Sequence, residues 1–495
     1  MSAGNSTAIP EPVDLASVGS WSDEVDVVVI GFGIAGGCAA LEAARAGAKV
    51  LLLERAATYG GTSAMAGGHF YLGGGTAVQR AVGVEDSAEE MEKYLLAVVR
   101  EADDETRAKI HHYATDSVAH FDWLEELGFE FERSLFPGKA VIQPGTEGLM
   151  YTGNEKVWPF RDHAVPAPRG HKVPVPGDTG GAKLVLDCLA KQLADAGVEV
   201  RYETGVTALV RDGASPDAQS VVGVSWRRFE ERGHIRARGV VIAAGGFVGN
   251  DEMVAQWVPQ MREKLFPLAS TYDDGLGLRL GASVGGEWRF MDQAFQTAPF
   301  YPPAALVTGL IVNRDGVRFV AEDSYHSRTS AFVLEQPEAR AYLIVDSEHI
   351  EHPTFPLCPF VDGWETVAEM AESLGVPEDA LTATLTRYNE YAARGEDPDF
   401  HKASEWLAAQ STGPWGAFDL SLGKATYAGF TMGGLAVTVD GRVRRTDGSV
   451  VPGLYAAGAC AANIAQDAKG YASGTQLGEG SYFGRRAGLH AATGQ

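Results

Sequence analysis

The sequence predicts an α/β fold built around a buried parallel sheet, with an α+β region inserted late in the chain. Three observations carry this. Short β-branched runs end in glycine at Asp26–Ile30, at Val240–Ile242 and at Gly453–Gly458, as buried parallel strands do when they feed tight turns. The first run is followed by an Ala-rich helical segment and a second apolar run, one complete βαβ unit. Glycine is abundant at 60 residues, which suits many βα turns and backbone that approaches a ligand closely.

The elements follow in order. Residues 1–22 are polar and precede the first basic residue, Arg45; without a basic start or an apolar run they read as a loose arm. Asp26–Ile30 is the opening strand, Ile34–Ala46 a helix closed by Gly47, and Lys49–Glu54 the second strand. Residues 84–128 read as helical. Ser87 is placed to cap, Glu90 follows three residues on, and Met91, Tyr94, Leu95, Val98 and Val99 form one apolar face. The Pro- and Gly-rich stretch 134–180 reads as a long surface loop. A helix is expected over 181–196, then strands at Val198–Tyr202, Val206–Arg211 and Val221–Arg227. From 286 to 436 the composition shifts toward Pro and aromatics, with helices near 364–375 and 377–394. Strands resume at Val437–Val443, and the last strand enters a glycine-rich loop and a terminal helix.

Composition excludes some classes. The net charge of −24 opposes binding to nucleic acid or an anionic membrane, which needs clustered Lys and Arg. The four cysteines are scattered, without Cys-x-x-Cys or zinc-type His spacing, so no metal site is expected and a reduced compartment is. His111-His112 reads as a helix face. With no uninterrupted apolar stretch of about 20 residues, the chain is expected to be soluble and cytoplasmic, with no stable membrane insertion.

The motif that carries chemistry is Gly31-Phe32-Gly33-Ile34-Ala35-Gly36. Alone it would be weak; here a strand precedes it, a helix follows, and Glu54 ends the next strand 18 residues beyond Gly36. Gly31 permits the turn, Gly33 lets backbone approach a pyrophosphate, and Gly36 lets the helix pack on the sheet. The helix N-terminus would face the phosphates and Glu54 the ribose hydroxyls. A second glycine-rich run, Gly60-Gly61-Thr62-Ser63-Ala64-Met65-Ala66-Gly67-Gly68, gives backbone that could wrap a longer cofactor. One such fingerprint in a chain of this length favours FAD over a nicotinamide.

Together these motifs, with Ala243-Ala244-Gly245-Gly246-Phe247, Asp274-Gly275-Leu276-Gly277, Gly316–Glu322 and Pro452–Gly458, resemble the fumarate reductase and 3-ketosteroid dehydrogenase flavoproteins over most of the chain. The resemblance implies a Rossmann-like FAD-binding domain in two segments, 1–285 and 437–495, with a substrate-capping domain at 286–436. It implies non-covalent FAD held by Gly31, Gly33, Ile34, Ala35, Gly36, Glu54, Arg55, Gly61, Thr62, Ser63, Gly67, Gly68, Val206, Ala244, Gly245, Asp274, Gly458, Thr475, Gln476 and Leu477. His69, the histidine by the Gly67-Gly68 run, follows the glycines rather than preceding them as in succinate dehydrogenases.

The reaction is read from departures. Fumarate reductases carry His-Thr-Met-Gly-Gly and Asn-Arg-Leu-Gly-Gly; here the first is Phe430–Gly434 and the second Thr475-Gln476-Leu477-Gly478-Glu479. Without that His and Arg a dicarboxylate lacks its cationic partners. Arg318 and Arg328 remain, the first expected to pair with Glu322. The Δ1-dehydrogenases of 3-ketosteroids look like Tyr-Pro-Gly-Pro-Gly in the last loop, whereas Tyr471-Ala472-Ser473 with Ser324-Tyr325 resembles the 3-ketosteroid Δ4-(5α)-dehydrogenases. The resemblance implies Ser473 as proton acceptor, Tyr325 as its relay and Tyr471 as donor to the C3 oxygen. Partners would be a small steroid and an external electron acceptor. Rival readings are a Δ1-dehydrogenase, a flavin-dependent reductase of a small unsaturated acid, an electron-passing flavin subunit and a non-enzymatic acidic binding module.

Overall fold

The computed structural model describes residues 6–494 apart from 142, 178–179, 214–218, 262–264, 299, 302 and 354. Residues 1–5 of the N-terminal arm, 142 and 178–179 of the 134–180 stretch, and 299, 302 and 354 of the 286–436 region therefore lie outside it.

The fold is mixed α/β. Its largest sheet has nine strands among the described residues. Val27, Val28 and Val29 in strand Asp23–Ile30 are fully buried, because helices or sheet cover both faces. This strand pairs in parallel with Val50–Leu53 on one side and with Glu231–Ile242 on the other, Val28 lying opposite Leu51 and Val240. Glu199–Arg201 extends the sheet beyond Val50–Leu53. The long strand Glu231–Ile242 changes partners along its length. Its first half pairs antiparallel with Ser220–Arg228, and its last residues pair in parallel with Val450–Ala456, far away in sequence.

The helix Ile34–Arg45 is packed by the closing helix Thr475–Thr493. The two backbones touch: a Cβ at Gly484 would lie 2.4 Å from the Ala35 carbonyl oxygen, and one at Gly488 2.0 Å from that of Ala39. Residues early and late in the chain thus share one core, in which Ala35, Ala39, Tyr482 and Phe483 are all buried.

Between these segments a four-stranded antiparallel sheet, Leu310–Asn313, Ala341–Asp346, Trp415–Asp419 and Phe360–Trp364, carries the helices Val367–Leu374 and Glu378–Arg394. Those helices fall where the sequence puts them. The capping box at Thr366 and Glu369 fixes the start of the first.

Three expectations need correction. The described part of the arm, residues 6–22, is not loose: Val13–Asp14 pairs in parallel with Val210–Arg211, and Asp14 binds Arg211 at 2.7 Å. Arg279 and Asn250 hold the carbonyls of Ala8 and Ser6. The cause is an edge strand with donors and acceptors to satisfy. The helical stretch 84–128 is three helices, Ala88–Val98, Asp104–Thr115 and Ser117–Glu126. The break falls where Val99 turns extended and Asp103 caps the next helix. Ser87 does cap Glu90, but the Glu90 carboxylate reaches Val165 at 2.6 Å instead of closing a capping box. The stretch 134–180 is not a surface loop. Leu149–Met150 and Gly170–Lys172 pair with each other, and Gly170–Lys172 with His69–Tyr71. Asn154, Arg169 and His171 are fully buried.

Candidate active site

The parallel strands end at one edge of the sheet, where an open α/β fold binds ligands. A cavity of ≈ 400 Å³ opens there, walled by the turns after strands Asp23–Ile30, Val50–Leu53, Glu231–Ile242 and Val450–Ala456. Of the residues expected to hold the cofactor, Gly31, Gly33, Ile34, Ala35, Glu54, Arg55, Gly61, Thr62, Ser63, Gly67, Val206, Ala244, Gly245, Gly458, Gln476 and Leu477 line it. Gly36, Gly68, Asp274 and Thr475 are not among the lining residues. Gly36 lies where a Cβ would sit 1.9 Å from the Gly31 carbonyl oxygen, so the helix start and the strand-end turn are in backbone contact. Asp274 binds Arg55 at 2.7 Å, and the Thr475 hydroxyl donates to the Ala472 carbonyl.

The wall is held by its own polar groups. Glu54 accepts from the N–H groups of Phe32 and Ala56, each at 2.7 Å. Ser63 accepts from the Ile34 N–H at the helix start. Arg55 lies over the Tyr272 ring at 4.5 Å. Asp273, which sequence reasoning passed over for its neighbour Asp274, lines the cavity and accepts from Thr62 at 2.8 Å. Burial pushes its carboxyl up to about 6. Phe32, Thr204, Leu268 and Ser270 were also missed. Phe32 lies inside the Gly31–Gly36 motif, and the others sit in segments without a motif signal.

At one end of the cavity Tyr471, Phe430 and Leu268 form an apolar corner. Phe430 stacks on Phe295 at 4.7 Å, and Tyr471 meets Phe295 edge-on at 4.8 Å. Tyr325 and Met432 complete this buried cluster. Burial raises the Tyr471 phenol above its ordinary range. Tyr325 and Ser473, 148 positions apart, share a hydrogen bond between their hydroxyls. The ring of His326 lies 4.0 Å from that of Tyr325; its Nδ1 is bonded to the Thr297 hydroxyl, and burial lowers its pKa to about 3, leaving it neutral. The three residues expected to do chemistry are therefore one cluster, with Tyr471 on the cavity wall.

The two arginines left over from the dicarboxylate reading are committed elsewhere. Arg318 is buried, binds Glu322 at 2.8 Å and Asp397 at 3.0 Å, and is not among the residues lining the cavity. Arg328 lies over Phe160 and Phe332.

A strand-ending glycine turn, a helix aimed at it and a deep cleft along the sheet edge define a dinucleotide-dependent oxidoreductase. Residues 26–476 match the family model described as an FAD binding domain, and the chain belongs to this family of FAD-binding flavoproteins, with the fumarate reductases and 3-ketosteroid dehydrogenases. It is similar to a solved 3-ketosteroid-Δ4-(5α)-dehydrogenase from Rhodococcus jostii RHA1 in complex with 4-androstene-3,17-dione: 37% identity, 98% of this chain and 100% of that one, TM-score 0.90. Among curated proteins it is 29% identical to a 3-oxo-5-alpha-steroid 4-dehydrogenase of Comamonas testosteroni, over 91% of this chain and 96% of the relative. It is 28% identical to a vinyl phenol reductase of Lactiplantibacillus plantarum, over 95% and 97%. The cofactor is FAD. Among the described residues no helix is long and apolar enough to cross a membrane.

Proposed function

We propose that this protein dehydrogenates 3-keto-5α-steroids to 4-ene-3-ketosteroids. The observation that carries the reading is the hydrogen-bonded Tyr325–Ser473 pair beside Tyr471, in an apolar corner of the FAD cavity. The likeness to a Δ4-(5α)-dehydrogenase over the whole chain supports it. In this reading residues 1–285 and 437–495 form the FAD domain, residues 286–436 cap the substrate, and an external acceptor reoxidises the flavin.

The cradle fits FAD. Glycine is required where Gly36 meets the Gly31 backbone, and the helix start faces the cavity, as a pyrophosphate demands. Gly31, Gly33, Ile34 and Ala35 would take the pyrophosphate, Glu54 the ribose, and Thr62, Ser63, Gln476 and Leu477 the remainder. Bound FAD supplies a hydride acceptor for the C5 hydrogen. The chain's own groups handle the proton and the developing charge. Ser473 Oγ takes the C4 proton while its own hydroxyl proton passes to Tyr325 Oη, whose proton leaves outward. A serine needs such a neighbour to act as a base. Tyr471, kept protonated by burial, donates to the C3 oxygen as the enolate forms, a contribution typically about 2.7–4 kcal/mol. Phe295 and Phe430 offer flat apolar surface and no counter-charge, which suits a lone ketone and not a carboxylate.

Anaerobic mixing of the holoenzyme with a 5α-3-ketosteroid should bleach the flavin absorbance. Bleaching by a 4-ene-3-ketosteroid instead would move the assignment to Δ1 chemistry. Rapid reoxidation of reduced enzyme by fumarate would move it to dicarboxylates.

A further inference from the structure

We propose that Asn154 is a positioning residue that sets the hydrogen-bond geometry of the Tyr325–Ser473 pair; the proposal rests on the reading of that pair given above. Asn154 is fully buried and sits in the segment Thr152–Asn154, which touches both members. Its Oδ1 accepts from the Tyr325 N–H at 2.9 Å, and its Nδ2 donates to the Lys469 carbonyl at 3.3 Å in the loop that carries Ser473. Two residues earlier, the Thr152 carbonyl accepts from the Ser473 N–H at 2.8 Å. Between them Gly153 presses on the same loop: a Cβ there would lie 2.7 Å from the Ala472 Cβ and 2.8 Å from Tyr94 Oη. The segment is itself anchored, the Asn154 N–H donating to Tyr94 Oη at 2.9 Å.

The physical need is plain. Tyr325 and Ser473 come from distant parts of the chain, and two hydroxyls pass a proton only while held in line at hydrogen-bond distance. Tyr325 is also the N-cap of helix His326–Leu334, so its buried N–H must be satisfied from outside the helix. The Asn154 amide oxygen meets that demand while its amide nitrogen grips the opposing loop. One planar group thereby couples the two backbones. Its loss lets the relay drift without touching the glycine turn of the flavin cradle.

The test uses the holoenzyme and Asn154→Ala, with the wild-type substrate screen run first. Displacement of a reacting group by about 1 Å can cost roughly 10²-fold. We therefore expect kcat to fall by about 10- to 100-fold with KM within about threefold. Flavin content and visible spectrum should match wild type. The kinetic isotope effect with C4-deuterated 5α-3-ketosteroid should rise, since proton removal becomes the slow step. Wild-type kcat, an unchanged C4 isotope effect, or parallel loss of flavin and turnover each overturn the positioning role. If Asn154→Ala does not fold, Gly153→Ala, which displaces Ala472 instead, must show the raised C4 effect, and its absence counts against the proposal equally. A wild-type enzyme that no 5α-3-ketosteroid bleaches refutes the reading of the pair, a result distinct from failure of the variants alone.

Discussion

Gly36→Ala is the sharpest test of how the cofactor cradle is built. The added methyl would stand 1.9 Å from the Gly31 carbonyl oxygen and 3.2 Å from the Ala243 Cβ. Ordinary contact begins near 3.4 Å, so the helix start and the turn must part by about 1.5 Å, more than backbone packed on both sides allows without strain. Neither partner can rotate away, because the nearest atom belongs to the main chain. Overpacking of this kind typically costs about 1–3 kcal/mol, and this contact belongs at the upper end or above. The same shift misaligns the helix N-terminus with the cavity. Gly33→Ala is the control, since its methyl meets the Ser63 side chain at 3.0 Å, which can give way. Flavin content by visible absorbance and the melting temperature of the apoprotein are the assays. Gly36→Ala should lose flavin and melt early, whereas Gly33→Ala should lose flavin affinity with little change in apoprotein melting. A Gly36→Ala protein that keeps its flavin and melts like wild type would refute the reasoning.

Other outcomes follow from the site and the core. Tyr471→Phe and Ser473→Ala should each lower turnover of a 5α-3-ketosteroid by about 10²-fold or more with flavin still bound; a variant turning over at the wild-type rate would remove that residue from the mechanism. Arg318→Met leaves Glu322 and Asp397 facing Lys402 alone, at 3.3 Å from Glu322. Breaking a buried ion pair typically costs about 3–5 kcal/mol, so the chemical-denaturation midpoint should fall sharply, and a midpoint near that of wild type would show the network to be slack. Glu479 accepts from the Ile464 and Ala465 N–H groups, and burial raises its carboxyl to about 8 from an ordinary 4.5. The folded chain therefore keeps a proton that the unfolded chain has released. The associated stability is full below about 4.5 and lost as pH rises through about 8, at no more than ~1.4 kcal/mol per pH unit. Glu479→Gln should flatten the decline in melting temperature across that window; an unaltered pH profile would place the titration elsewhere.

Much of this was legible in the sequence because the relevant signals are local. The cradle rests on glycines at fixed spacing between a strand and a helix, and Gly31, Gly33 and Gly36 fall where that spacing puts them. Tyr325, Tyr471 and Ser473 were singled out because each lies in a short motif. Their convergence is a tertiary fact that no local pattern encodes. What escaped notice had misleading composition. Asn154 lies in a Pro- and Gly-rich stretch that reads as solvated loop, yet strand Leu149–Met150 just before it pairs with Gly170–Lys172 and its own side chain is fully enclosed. Val13–Asp14 was passed over because two residues give no periodicity, and only the open edge at Val210–Arg211 gives them a place. Asp273 and Asp274 are adjacent acids, and sequence could not say which would turn toward the cavity.

The contact between helices Ile34–Arg45 and Thr475–Thr493 has a consequence for synthesis. The glycine turn leaves the ribosome some 400 residues ahead of the helix that backs it and of the strand Val450–Ala456 in the same sheet. At typical rates of about 5–20 residues per second, the early half waits tens of seconds with its apolar helix face bare. Chaperone shielding of that face during the interval thus bears on how much correctly folded chain is recovered.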